Sequence, residues 1–145
     1  MKIAICISGQ PRNYEQGYKE LKKWFLDRYD CDVYFHTWKD TTTEFVSSHN
    51  FTETRYYTFT DQDYQNILDI YQPKDYIFQR PINFDATNIT GNLGFTLNSI
   101  YSAWLSTQKS IELALESGID YDLIIKYRFD LFFTSMISPD RDWET

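Results

Sequence analysis

A chain of 145 residues makes one domain, long enough for a real core, since about 70% of the unfolded surface is removed at this size. A net charge of -7 excludes a general nucleic-acid binder, which would carry a basic face, and no apolar run is long enough to cross a bilayer. Aromatic residues are plentiful (12 Tyr, 11 Phe and 4 Trp), and most recur at periodic positions that read as core.

The chain opens on a short apolar run, Ile3 to Ile7, which reads as a buried strand. No secretory or transit segment precedes it, which predicts a cytoplasmic protein. The strand runs into Ser8-Gly9-Gln10-Pro11-Arg12-Asn13, a turn-rich string of donors with one cation. Asn13, with Gln16 at the third helical position, reads as a capping box for the next helix. A polar loop at a helix's positive end suits phosphate; an ordinary strand-to-helix turn is the alternative.

Tyr14–Tyr29 is a predicted helix, with Tyr18, Leu21, Trp24, Phe25 and Tyr29 on one face. Asp30–Trp38 follows as a second strand, with His36 and Trp38 at its end. Residues 41–50 carry no clear period and read as a loop, and Arg55–Phe59 is β-prone. Thr60 is placed to cap a helix over Asp61–Tyr71, which Pro73 ends. Asp75–Arg80 is a third strand, and 81–91 a loop. Asn92 is placed to cap the longest helix, Leu93–Ser117. Leu97, Ile100, Tyr101, Trp104, Ile111 and Leu115 are its expected inner stripe, and Gly118 stops it.

The fourth strand is the most informative stretch, YDLIIKYRFDLFF over Tyr121–Phe133. Its apolar run ends in Arg128 and Asp130, which share a face because side chains i and i+2 of a strand point the same way. A cation and a carboxylate at a strand's carboxyl end suggest a site for something anionic, with an optional metal; a surface ion pair is the alternative.

Strands and helices alternate throughout, so the expected fold is α/β and Rossmann-like. Its mainly parallel sheet takes the order 3-2-1-4, with helices on both faces. That order places the Ser8–Asn13 loop beside Arg128 and Asp130, and puts His36, Trp38, Gln79 and Arg80 on the same carboxyl edge. A sheet of four strands leaves an edge uncovered, which predicts self-association into a homo-oligomer. Cys6 and Cys31 read as buried free thiols, and Asn50-Phe51-Thr52 and Asn88-Ile89-Thr90 as chance matches to the glycosylation pattern.

Several chemistries are excluded. Only Gly9 follows the first strand where a dinucleotide fingerprint needs three glycines, and no G-x-x-x-x-G-K loop or G-x-S-x-G elbow occurs. His36 and His49 lack zinc-spaced partners. A nucleoside diphosphate fits the remaining residues best: the loop of Ser8, Gly9, Gln10 and Arg12 with Arg128 for the phosphates, Trp38 or Tyr14 stacking on the base or sugar, His36 among the nucleotide-binding residues, and Asp130 for Mn²⁺ or Mg²⁺.

KIAICISGQPRNY, DVYFHTW, the Asn98–Tyr101 helix and YDLIIKYRFDLFF together resemble the amino-terminal half of GT-A type glycosyltransferases, the nucleotide-diphospho-sugar transferase superfamily. The likeness spans essentially the whole chain. It implies that the first loop contacts the nucleotide. It also implies that Asp130 matches the second Asp of the metal-holding D-x-D motif, with Arg128 in place of the first. The implied function is a glycosyltransferase-like protein that binds a nucleoside-diphosphate sugar and transfers the sugar; the alternative is a non-catalytic binding module of the same descent. Asp140 and Asp142 are further carboxylates near the carboxyl terminus.

Overall fold

The computed structural model describes residues 1–49, 53–84 and 92–133. Asn50, Asn88, Asp140 and Asp142 lie outside the described residues, as does the side chain of Asn92. The strands β1 (Lys2–Gly9), β2 (Asp30–Trp38), β5 (Asp75–Gln79) and β6 (Leu123–Tyr127) form one parallel sheet in the order β5-β2-β1-β6. This is the expected 3-2-1-4 topology. Strand β1 lies at its centre because Ile3 to Ile7 are fully buried, so both faces of the strand are covered.

Helix α1 (Tyr14–Leu21) and α2 (Asp61–Tyr71) cover one face of the sheet, and α3 (Asn92–Glu116) covers the other. The first predicted helix is in fact α1 continued by a wider π turn over Lys22–Leu26. Leu21 and Phe25 still point inward, so the stripe survives the change of pitch. Thr60 caps α2 as expected, accepting from the Asp63 amide while Asp63 accepts from the Thr60 amide. Asn13 does not cap α1. It takes a left-handed conformation, φ 54°, and makes no capping hydrogen bond through its side chain. Asparagine tolerates that conformation better than most residues, so its role is to turn the chain.

Two further expectations need correction. The segment read as a loop contains β3 (Phe45–His49), which pairs antiparallel with β4 (Glu53–Tyr57) in a separate hairpin. Most of the stripe assigned to the inside of α3 faces outward: Ile100, Tyr101, Trp104 and Leu115 are exposed, while Ile111 packs inward as expected. Ser106, Ser110 and Ala114 lie against the sheet instead. Small side chains at four-residue spacing let the helix backbone approach the strands closely. Cys6 is buried and Cys31 half-buried, both as free thiols, and burial pushes them up to about 12 and about 11 respectively. Among the described residues no helix is long and apolar enough to cross a membrane.

Candidate functional site

The carboxyl edge of the sheet gathers the predicted residues from four strands. At the end of β1, Gly9 takes φ 99°, a left-handed value that glycine adopts without strain. The chain then turns through Gln10–Asn13 into α1. At the end of β6, Phe129 and Asp130 form a turn that packs onto α1 at Gly17. A Cβ at Gly17 would lie 1.6 Å from the Phe129 carbonyl oxygen, so only glycine allows this approach. That contact holds the Arg128–Asp130 turn beside the Ser8–Asn13 loop.

The two segments meet at Asp130. Arg128 grips it with two parallel hydrogen bonds, Nε to Oδ1 at 3.0 Å and a terminal nitrogen to Oδ2 at 2.9 Å. Arg12 reaches Oδ2 from the other side at 3.5 Å, and its guanidinium lies 5.5 Å from the centre of the Tyr57 ring. Tyr57 belongs to β4, the strand that matches the β-prone segment expected at Arg55–Phe59, so the hairpin reaches this end of the sheet through the Tyr57 ring. Two guanidinium groups face one carboxylate, a local excess of positive charge in a chain of net charge -7.

At the β2/β5 end lies an open groove of about 310 Å³, lined by Lys39, Asp40, Thr41, Thr42, Phe78 and Arg80. The ammonium of Lys39 lies over the Tyr64 and Phe78 rings and 3.6 Å from Asp61. Asp40 accepts from the side chains and backbone amides of Thr42 and Thr43, which hold its carboxyl well below the usual range, Thr43 contributing most. Tyr64 ties this corner together by donating to the Trp38 carbonyl at 3.0 Å while accepting from the Asp40 amide.

His36 occupies a different setting. It is fully buried under α3, with Nδ1 2.7 Å from Ser106 Oγ and Nε2 2.6 Å from Gln79 Oε1. The Gln79 oxygen can only accept, so Nε2 carries the hydrogen of a neutral imidazole; the one Ser106 hydroxyl hydrogen is then shared between Nδ1 and the His36 carbonyl oxygen, 3.1 Å away. Burial lowers the His36 pKa, against the opposing Gln79 hydrogen bond. Trp38 is buried edge-on against this ring at 4.8 Å, and Ser8 meets Thr107 at 3.3 Å. Ser106 Oγ also accepts from the Gly9 amide at 2.9 Å, so α3 anchors the start of the Gly9–Asn13 loop.

The structure therefore divides the predicted residues in two. Gly9, Gln10, Arg12, Arg128 and Asp130 cluster at the β1/β6 end. Ser8, His36 and Trp38 are built into the scaffold behind it. Ser106 and Thr107 were missed; the recurrence of small residues at 102, 106, 110 and 114 was the signal available.

The residues present are a poor fit for a divalent cation. Mg²⁺ and Mn²⁺ prefer several oxygen ligands. Asp130 has both oxygens engaged by arginines, and among the described residues no three His, Cys, Asp or Glu side chains group as a metal site. Comparisons with protein-family models, curated proteins and solved structures found no match.

Proposed function

We propose that the carboxyl edge of this sheet binds a nucleoside-diphosphate sugar and that the chain is a glycosyltransferase-like protein transferring that sugar. The observation that carries the reading is the pair of guanidinium groups, Arg12 and Arg128, held around one carboxylate where an open α/β sheet binds its ligands. The Asp130 carboxylate marks where an anion is favoured between them, and the planar fork of arginine suits phosphate oxygens equally well. The same two cations would stabilise a leaving diphosphate as its charge develops, without a metal. Lys39, Phe78 and Arg80 offer charge and a ring face for the rest of the ligand.

A binding module without turnover is the second reading. It is favoured by Asp130, the carboxylate that Arg12 and Arg128 surround, whose oxygens are both engaged and so are not free to act as a base.

Titration calorimetry with UDP and with a UDP-sugar tests the site, with Mn²⁺ and with chelator. Binding is expected to survive chelation, and Arg128→Ala is expected to weaken it about tenfold, the loss of one charge-assisted contact. Asp130→Asn removes a competing anion and is expected to leave affinity unchanged or raise it; loss of Mn²⁺-dependent binding in that variant would restore Asp130 as a metal ligand. Wild-type protein that binds neither compound under any metal condition would refute the reading. A transfer assay with bound UDP-sugar then separates the enzyme from the binding module.

A further inference from the structure

The strongest hydrophobic pattern in α3 lies on the side of the helix that the sheet does not use. Leu97, Tyr101, Trp104, Gln108, Ile111 and Leu115 follow one another at spacings of 4, 3, 4, 3 and 4 residues. Alternating fours and threes are the mark of a helix seam that meets another helix. Among the described residues the middle of this seam faces solvent; the Tyr101 ring meets that of Phe84 at 5.6 Å, and half-buried Ile111 also packs against the small cluster under the helix. Trp104 is 60% exposed, Tyr101 49% and Leu115 65%, because α3 sits on the sheet through fully buried Ser106, Ser110 and Ala114 on its other side.

We propose that this seam is a homodimer surface, on which α3 pairs antiparallel with α3 of a second copy about a two-fold axis near residue 106. The spacing reads the same in both directions, so a reversed copy stays in register along its whole length. Reversal sets Leu97 opposite Leu115 of the second copy, Tyr101 opposite its Ile111, and Trp104 opposite its Gln108. Each layer then couples side chains of compatible size. A parallel pair would stack indole on indole in one layer and amide on amide in the next.

Gln108 suits its place in that arrangement. Its Nε2 donates to Glu112 of the same helix at 3.0 Å, which leaves Oε1 to accept from the indole N–H of the second copy's Trp104. A polar residue at one seam position fixes register and orientation, as in coiled coils. The area is sufficient. At about 150–250 Å² per large side chain, the exposed parts of Ile100, Tyr101, Trp104 and Leu115 leave roughly 450 Å² per copy to be covered. Two copies bury about 1,000 Å² once Gln108 and Ile111 are included, the size at which specific interfaces begin. The surface is thus the outer face of α3, not the open sheet edge from which self-association was first expected. It lies on the helix face turned away from the sheet, so it stands independently of any nucleotide site.

Sedimentation equilibrium of the full chain from low to high micromolar concentration tests the proposal, alongside Trp104→Glu. Wild type is expected to show a monomer–dimer equilibrium. Trp104→Glu is expected to weaken it by about tenfold or more while leaving the thermal melt of the fold in place, since a seam-centre aromatic acts as an anchor. Orientation is read from disulfide trapping: a mixture of Tyr101→Cys and Ile111→Cys chains is expected to cross-link to each other and neither to itself. Wild type that stays monomeric throughout, or a dimer indifferent to Trp104→Glu, would overturn the surface. Self-cross-linking of Ile111→Cys alone would overturn the antiparallel geometry.

Discussion

The two faces of the parallel sheet are held by different physics. On the face under α1 and α2, Ile3, Ile5, Ile7, Phe35, Tyr71, Tyr127 and Phe129 pack as one aromatic-rich cluster. Phe35 alone meets Tyr71, Tyr76, Phe78 and Phe129 with ring centres 5.7–6.5 Å apart. On the face under α3, Ala4, Cys6, Tyr34 and Ala114 make a small cluster, and His36, Ser106 and Gln79 continue it as a hydrogen-bonded chain. Area removed from water stabilises the first face; satisfied polar groups and close helix approach hold the second. Because Ser106, Ser110 and Ala114 make the closest approach to the sheet, with Leu105, Ile111 and Leu113 half-buried beside them, Ile100, Tyr101, Trp104 and Leu115 are left on the outside. The contrast also explains why the Gly9–Asn13 loop is anchored from the polar side, where the Ser106 oxygen has a lone pair to spare for the Gly9 amide.

The contrast is tested most strongly on the aromatic face. Phe35→Ala is expected to cost about 3–5 kcal/mol in urea unfolding, the usual loss for a fully buried ring whose cavity cannot collapse. A cost near 1 kcal/mol would mean that the aromatic cluster rearranges freely and that the two faces are less different than the packing implies. On the polar face, Ser106→Ala removes little area but orphans the Gly9 amide and His36 Nδ1. About 1–3 kcal/mol is expected. The same variant is expected to weaken anion binding at Arg12, because the loop that carries Arg12 loses its anchor at Gly9. A Ser106→Ala protein of unchanged stability would show that water or rotamer changes replace the hydroxyl.

Much of this architecture was legible in the chain because β1, β2, β5 and β6 announce themselves as short apolar runs between helical periods, and the right-handed crossover rule then leaves few orders. Arg128 and Asp130 were legible as neighbours, but β6 ends at Tyr127, so they meet in the turn that follows and not through the two-residue repeat of a strand. The outward stripe of α3 was misread because periodicity shows which residues share a helix face, not which neighbour that face meets. Ser106 and Ser110 settle the matter by letting the backbone approach the sheet, and small polar residues carry no hydrophobic signal. Of the hairpin only β4 was legible, in the β-prone segment at Arg55–Phe59; β3 escaped notice because Ser47 and Ser48 interrupt any alternation, and its pairing with β4 is set by register. With the hairpin went the contact of Arg12 with Tyr57, which no local pattern could announce.

The smallest effect separates the faces by pH. An unfolded histidine titrates near 6.5, and in the folded chain burial holds His36 below that value. Between the two values the unfolded state binds more protons, so stability rises with pH across that interval. The contribution of His36 is complete above about pH 6.5 and drains away as pH falls through the folded value, at no more than about 1.4 kcal/mol per pH unit for one proton. Lys109, the cation nearest in effect, lowers the His36 pKa further, while Gln79 and Ser106, its hydrogen-bond partners, do not titrate. Urea midpoints of wild type are therefore expected to fall between pH 7.5 and 5.5, whereas His36→Gln loses that slope and keeps a hydrogen-bonding side chain at the position. The pKa values of Asp40 and Asp63 are held low, so these carboxylates stay ionised over this range and do not confuse the reading. Equal slopes in the two proteins would mean that the imidazole takes up its proton without leaving the buried chain, and the α3 face would then tolerate charge as well as polarity.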